Sequence, residues 1–223
     1  MVTDIFSSKF DRLYESHIAP LNRYVDELRR ETPHHDFPYF DPDDGGIDAK
    51  YLFLFEKPGP KASKENGGSG FISRDNPDNT ARATKEFMIE ARISRKDVVL
   101  WNVIPGWDGQ IKYRAADIRD GITKLEPIIS KMKDRRNIVL VGKAAGRALP
   151  FVRGLGFSNP ILSPHPSPIV KAFSPDAWKS IPSFWAQVHL ESEASSLGLW
   201  TLKSIVVQQK SAESFPQAQF SNI

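Results

Sequence analysis

Tyr51-Leu-Phe-Leu-Phe-Glu-Lys-Pro-Gly-Pro60 is the stretch that decides the fold. Five apolar residues run without interruption, a charged pair follows, and then comes a turn that no strand can pass through. A strand open to water on one side alternates apolar and polar residues, whereas one covered on both faces by helices is apolar throughout. Proline lacks the amide that a ladder needs, so Pro58 and Pro60 stop the strand. The same pattern recurs at Val98-Val-Leu-Trp-Asn102, Asn137-Ile-Val-Leu-Val141 and Asn159-Pro-Ile-Leu-Ser163. Between these runs the apolar spacing turns helical. Thr80–Arg92 follows Asn76-Pro77-Asp78-Asn79, where Asp78 or Thr80 offers an N-cap. Ala115–Met132 carries Ile118, Ile122, Leu125 and Ile129 near one face, and Lys143–Leu149 opens behind Gly142. Strands alternating with helices predict one α/β domain built on a small parallel sheet.

Working outward, residues 5–30 read as helical, with Leu13, Ile18, Leu21, Val25 and Leu28 near one face. Pro33 to Gly46 is a polar, Pro- and Asp-rich connection into the first strand. We therefore expect an N-terminal helix and connection over 1–46, the α/β domain over 47–190, and a partly loose C-terminal extension over 191–223. In that extension Trp200, Leu202, Ile205 and Val207 are expected to pack back as a helix or a strand, and Ser211–Ile223 reads as a loose tail.

The 223 residues suffice for one domain with a real core, and 40% hydrophobic with 26% charged residues is a globular balance. The longest apolar runs are too short to cross a bilayer, and the first residues lack the basic and apolar regions of a secretion signal. A cytoplasmic protein is expected, working at the bacterial nucleoid, without a membrane partner and as a monomer. There is no cysteine, which excludes disulfides, thiolate zinc sites and cysteine-ligated iron–sulfur clusters. Net charge is +3 and the isoelectric point about 9.0, a mild bias toward an anionic partner.

In an open parallel sheet, ligands bind beyond the carboxyl ends of the strands. The first strand runs into Glu56-Lys57-Pro58-Gly59-Pro60, and the second ends at Asn102 before Val103-Ile104-Pro105-Gly106-Trp107-Asp108-Gly109. The third ends at Gly142-Lys143, and the fourth in Ser163-Pro164-His165-Pro166-Ser167-Pro168. Each element alone has an ordinary reading as a strand terminator, a cap or a surface ion pair. Together they put a carboxylate, two lysines, an amide, a tryptophan and an imidazole on one edge, which packing alone does not call for. A Gly-x-Ser-x-Gly elbow and a Gly-x-x-x-x-Gly-Lys-Ser/Thr loop are both missing, which argues against an unrelated hydrolase or nucleotide-binding fold.

These motifs resemble those of the uracil-DNA glycosylase superfamily over about residues 37–190. Leu54–Gly59 resembles its first motif, Leu100–Val103 the strand ending in the pyrimidine-reading asparagine, and Ser163–Pro168 its His-Pro-Ser-Pro motif. Asp41–Gly46 and Ser69–Asp78 resemble a cysteine-free bacterial branch described only as uracil-DNA glycosylase-like. The resemblance implies a four-stranded parallel sheet flanked by helices in three layers. It also implies monofunctional hydrolysis of the bond between a flipped-out uracil, or another deaminated base, and deoxyribose. Uracil-containing DNA and the abasic product would be the partners, and no cofactor or metal is needed.

The resemblance also assigns roles. Phe71 would stack on the base, Asn102 would pair with N3–H and O4, and His165 would donate to O2 as charge grows on the leaving uracilate. Ser163 and Ser167 would grip phosphates, and Ile169 or Val170 would wedge into the emptied stack. Lys57 stands where several branches hold a water-activating Asp or Asn, so Glu56 becomes the first candidate for that work. Gly59 replaces a tyrosine that excludes the thymine methyl, which leaves base specificity open. Lys57, Lys61, Lys64, Lys143 and Lys171 would supply phosphate attraction. The alternative, a non-catalytic DNA-binding or abasic-site-sensing module on the same fold, stays open at this point because of Lys57.

Overall fold

The structure is a computed structural model, described over residues 2–190. Residues up to Val188 form one compact unit. Trp200 to Val207 and the Ser211–Ile223 tail lie outside the described residues.

Two helices open the chain, α1 (Val2–Phe10) and α2 (Ala19–Glu31), where one helical stretch was expected. They are separated by turns, and Pro20 sits at the start of α2, where its missing amide costs nothing. Leu21, Tyr24, Val25 and Leu28 are buried on one stripe of α2, the spacing of a helix with one face on a core. The two-residue strands β1 (Tyr39–Phe40) and β3 (Phe71–Ile72) pair in parallel as a small separate ladder. Between them in sequence lies β2 (Tyr51–Phe55). Helix α3 (Asn79–Glu90) follows, capped by Asp78, whose carboxylate accepts from the Ala81 amide at 2.9 Å.

Strand β4 (Val98–Asn102) is followed by α4 (Ala115–Thr123) and α5 (Glu126–Lys131). The periodic stretch Ala115–Met132 is thus two helices rather than one. Pro127 at the start of α5 explains the break, since its ring would collide with the carbonyl one turn earlier. Next come β5 (Asn137–Val141), α6 (Gly142–Gly146), α7 (Leu149–Gly154) and β6 (Ile161–Ser163). Three short helices follow, α8 (Pro168–Phe173), α9 (Pro175–Lys179) and α10 (Ile181–Trp185).

The main sheet has four parallel strands in the order β4-β2-β5-β6, as the alternating pattern predicts. Every residue of β2, β4 and β5 is buried, which accounts for their unbroken apolar character. Edge strand β6 is shorter than its sequence run and leaves Leu162 exposed. The chain goes from β2 outward to β4 and then returns to β5 on the other side of β2. That reversal opens a crevice at the carboxyl edge.

Candidate active site

A cavity of about 370 Å³ sits at that edge, within the range of small-ligand pockets. Its position follows from register. Phe55 at the end of β2 pairs with Asn102 at the end of β4, so the two side chains lie side by side on one face of the sheet. Both line the cavity, as does Leu100 two residues back. The opposite wall is the segment from Ile72 through Asn76 into the first turns of α3, and His165 closes the cavity from the loop after β6.

Asn102 is 5% exposed, and its Oδ1 has no hydrogen-bond partner among the described residues. An unpaired buried carboxamide oxygen carries a desolvation cost of about 1–3 kcal/mol, which a ligand donor would relieve. His165 stands edge-on to Phe55, with ring centroids 5.9 Å apart. Burial drives its pKa down from 6.5 to about 4, so the imidazole is neutral at physiological pH and offers one N–H donor. Its placement depends on Gly142, whose φ is +85° and where an added Cβ would lie 3.2 Å from His165 Cβ and Cδ2.

Glu56, one residue beyond Phe55, is not among the cavity-lining residues. It neighbours Tyr113 instead, and burial together with the Glu56 charge pushes that phenol up to about 12. Alternation along the chain turns residue 56 away from residue 55, which lines the cavity. Phe71 does not line the cavity either. It is fully buried against Phe10, Phe6 and Tyr39, at centroid distances of 4.7, 6.3 and 6.5 Å, and its neighbour Ile72 reaches the cavity in its place. The benzene ring among the cavity-lining residues is that of Phe55.

Lys57 does line the cavity, but its side chain is 5% exposed. Its ammonium donates to Asp108 Oδ1 at 2.7 Å and to the Gln110 carbonyl at 2.8 Å. It thus ties the loop after β4 to the loop after β2, and its charge is met from within rather than turned toward phosphate. The Ser163 hydroxyl is likewise engaged. It accepts from Trp185 Nε1 at 2.8 Å and donates to the Pro164 carbonyl at 2.9 Å, which fixes the start of the loop instead of reaching solvent. Ser167 caps α8 by accepting from the Val170 amide at 3.4 Å. Ile169 is 70% exposed and Val170 is half-buried, so Ile169 is the better placed of the two as a protruding apolar group.

Gly59 and exposed Lys61 both line the cavity, and a Cβ added at Gly59 would meet nothing within 4 Å. Lys64, Lys143 and Lys171 are also exposed. The Lys64 ammonium lies 4.2 Å from the Phe10 ring and that of Lys171 4.6 Å from the Trp178 ring.

Arg74 and Asn76 are functional candidates that the sequence did not reveal, and both line the cavity. Arg74 is buried; its Nη1 approaches Met88 Sδ at 3.4 Å and its Nη2 has no partner among the described residues. Burial holds its pKa below the ordinary value. Asn76 donates from Nδ2 to the Phe71 carbonyl at 3.0 Å, and its Oδ1 is unpaired and buried. The motif Asn76-Pro77-Asp78 reads in sequence as the lead-in to a helix, which it is, and that reading hides the amide.

Behind this wall lies a buried ionic cluster. Lys9 of α1 reaches Asp41 at 2.6 Å, Asp75 at 2.9 Å and Asp43 at 3.1 Å. Arg95 bridges Asp41, Asp75 and Asp44 at 2.7, 2.8 and 3.0 Å. Asp41, Asp43 and Asp75 have the mutual spacing of a metal site, but the ammonium of Lys9 occupies their common centre. This is a structural cluster, and it anchors Asp75 between Arg74 and Asn76.

Fold and site define an α/β protein with a ligand cavity at the carboxyl edge of a parallel sheet, lined by an unpaired amide and a neutral imidazole. The chain belongs to the uracil DNA glycosylase superfamily, whose family model matches residues 42–188. Among solved structures it is similar to a solution structure from Methanosarcina acetivorans provisionally described as a uracil DNA glycosylase. The identity is 19% and the TM-score 0.41, over 64% of this chain and 92% of that one. No curated protein matches the chain.

Proposed function

We propose that this protein is a DNA glycosylase that hydrolyses the N-glycosidic bond of a flipped-out uracil and leaves an abasic site. The observation that carries the reading is the buried, unpaired Asn102 carboxamide, in one cavity with His165. In the proposed complex Asn102 pairs with the imide edge of the base. Oδ1 accepts from N3–H and Nδ2 donates to O4, a pattern that cytosine reverses. The ring lies beside Phe55. As the glycosidic bond stretches, negative charge gathers on the base, and the His165 N–H stabilises it at O2. Because the imidazole is neutral beforehand, it donates without contributing a proton that the leaving group would have to share.

Water completes the reaction. Lys57 Nζ is committed to Asp108 Oδ1 and the Gln110 carbonyl, so it would have to break both contacts to attack the sugar. This favours simple hydrolysis over strand cleavage. Exposed Ile169 on α8 fills the gap in the stack.

A specific observation favours a second reading, damage sensing without turnover. Asp78 is the only carboxylate among the described residues that line the cavity, and it is engaged as the cap of α3. One experiment separates the two. A uracil-containing duplex is incubated with the protein and then treated with alkali to cut at abasic sites. Product should form, and Asn102→Ala and His165→Ala should each lower its rate by about 10²-fold or more. Tight binding without product, even at stoichiometric protein, would select the sensing role.

A further inference from the structure

The two amides of the cavity are not equivalent. Asn76 Nδ2 is committed to the Phe71 carbonyl, which fixes the orientation of the carboxamide and leaves Oδ1 as an acceptor and nothing else. Asn76 is 8% exposed and Asn102 5%, and both oxygens lie unpaired in residues lining one cavity. A uracil attached to sugar through N1 carries a single N–H, at N3. It can satisfy Asn102 or Asn76, but not both.

We infer that Asn76 is a specificity-determining residue whose Oδ1 accepts a second hydrogen bond, so that the preferred base carries a donor in addition to its imide N–H. This rests on the proposed reading of the cavity as a base pocket and names the chemistry it selects. Two kinds of base carry that feature. In a uracil with a hydroxymethyl group at C5, the added hydroxyl is the donor. In xanthine, the uracil ring is kept whole, sugar attachment moves to the second ring, and a further ring N–H is freed. Room exists for either, since Gly59 opens one wall. The loop bearing Asn76 is stiffened by the amide of Asp75 bonding to Ser73 Oγ at 3.0 Å and by the Lys9 ammonium behind Asp75. The acceptor is therefore held in place rather than free to turn away.

The test compares kcat/KM for 5-hydroxymethyluracil, xanthine, thymine and uracil in otherwise identical duplexes, for the wild type, Asn76→Ala and Asn76→Ser. Ratios taken within one protein are independent of its folded fraction. At least one two-donor base should be preferred over uracil in the wild type, and Asn76→Ala should cut that preference about tenfold, the worth of one buried hydrogen bond. Thymine, which has the bulk of a C5 substituent and no second donor, should show no Asn76-dependent change relative to uracil. The arm that responds identifies the source of the donor. A preference that Asn76→Ala and Asn76→Ser leave unchanged, or no preference for either two-donor base, overturns the inference while excision itself stands. Should no base be excised, the same ratios are read as Kd values. An Asn76-dependent binding ratio would then uphold the inference and refute hydrolysis, and a flat one would overturn it.

Discussion

At the scale of single residues, His165 and Asn102 matter through what burial does to them. The His165 imidazole is pushed down to about 4 by burial, so the folded protein resists a proton that the unfolded chain takes up near pH 6.5. Stability contributed by this group is whole above pH 6.5 and is lost as pH falls toward 4. An NMR titration of the ring should find its midpoint below pH 5, and His165→Gln should lose less stability than the wild type between pH 7 and 5. A midpoint near 6.5 would mean that the ring is open to solvent.

Their placement at one edge was legible from sequence because Asn102 ends β4 and His165 follows the end of β6 by two residues. Phe71 and Glu56 each stand one position from a residue that lines the cavity. Side chains alternate with a period of two, so an assignment one position off sends the residue to the opposite face. Phe71 gives way to Ile72, and Phe55 rather than Glu56 meets the cavity.

At the scale of elements, the strands were easy to find and the helix boundaries were not. Apolar runs of four or five announce buried strands, whereas apolar periodicity from Ala115 to Met132 continues through a break imposed by Pro127. Asp78 shows how local chemistry sets a boundary. Its carboxylate closes the first turn of α3 through the Ala81 amide, and α3 in turn forms part of the cavity wall. Asp78→Ala should destabilise the protein by about 1 kcal/mol in chemical denaturation, and Asp78→Asn should recover most of that loss. Equal stability of all three proteins would show that the cap contributes nothing. The wall residues Arg74 and Asn76 sit in the short link before this cap. Their place in the wall is invisible in sequence because it depends on what α1 and the segment before β4 bring behind them, Lys9 and Arg95.

At the scale of the whole molecule, charges far apart in sequence converge behind the cavity. Burial alone would lower the Lys9 pKa, but Asp41 and Asp75 outweigh it and the net shift is upward. Lys9 and Arg95 in turn hold Asp75 well below the usual carboxylate range, against the effect of burial. Removing one member of such a cluster leaves buried charge uncompensated. Lys9→Met should cost about 3 kcal/mol, read as a lower denaturation midpoint. A loss within 0.5 kcal/mol, about that of an ordinary surface change, would show that Arg95 alone neutralises the three carboxylates. Pairings between residues 9, 41, 75 and 95 have no signature in local pattern, which is why the cluster could not be read from the chain.

Lys9 also lies outside the segment that the family model spans, 42–188. The α1 helix therefore acts as a tethered counter-ion, delivering its ammonium at a local concentration that no dissolved salt could match. Cutting the chain back to the matched segment would remove that counter-ion together with Asp41, its nearest partner, and leave Arg95 to face Asp43, Asp44 and Asp75 behind the Asn76 loop. Lys9 and Asp41 thus belong to the electrostatic foundation of the pocket wall, and the boundary of the family motif is not a boundary of the cluster.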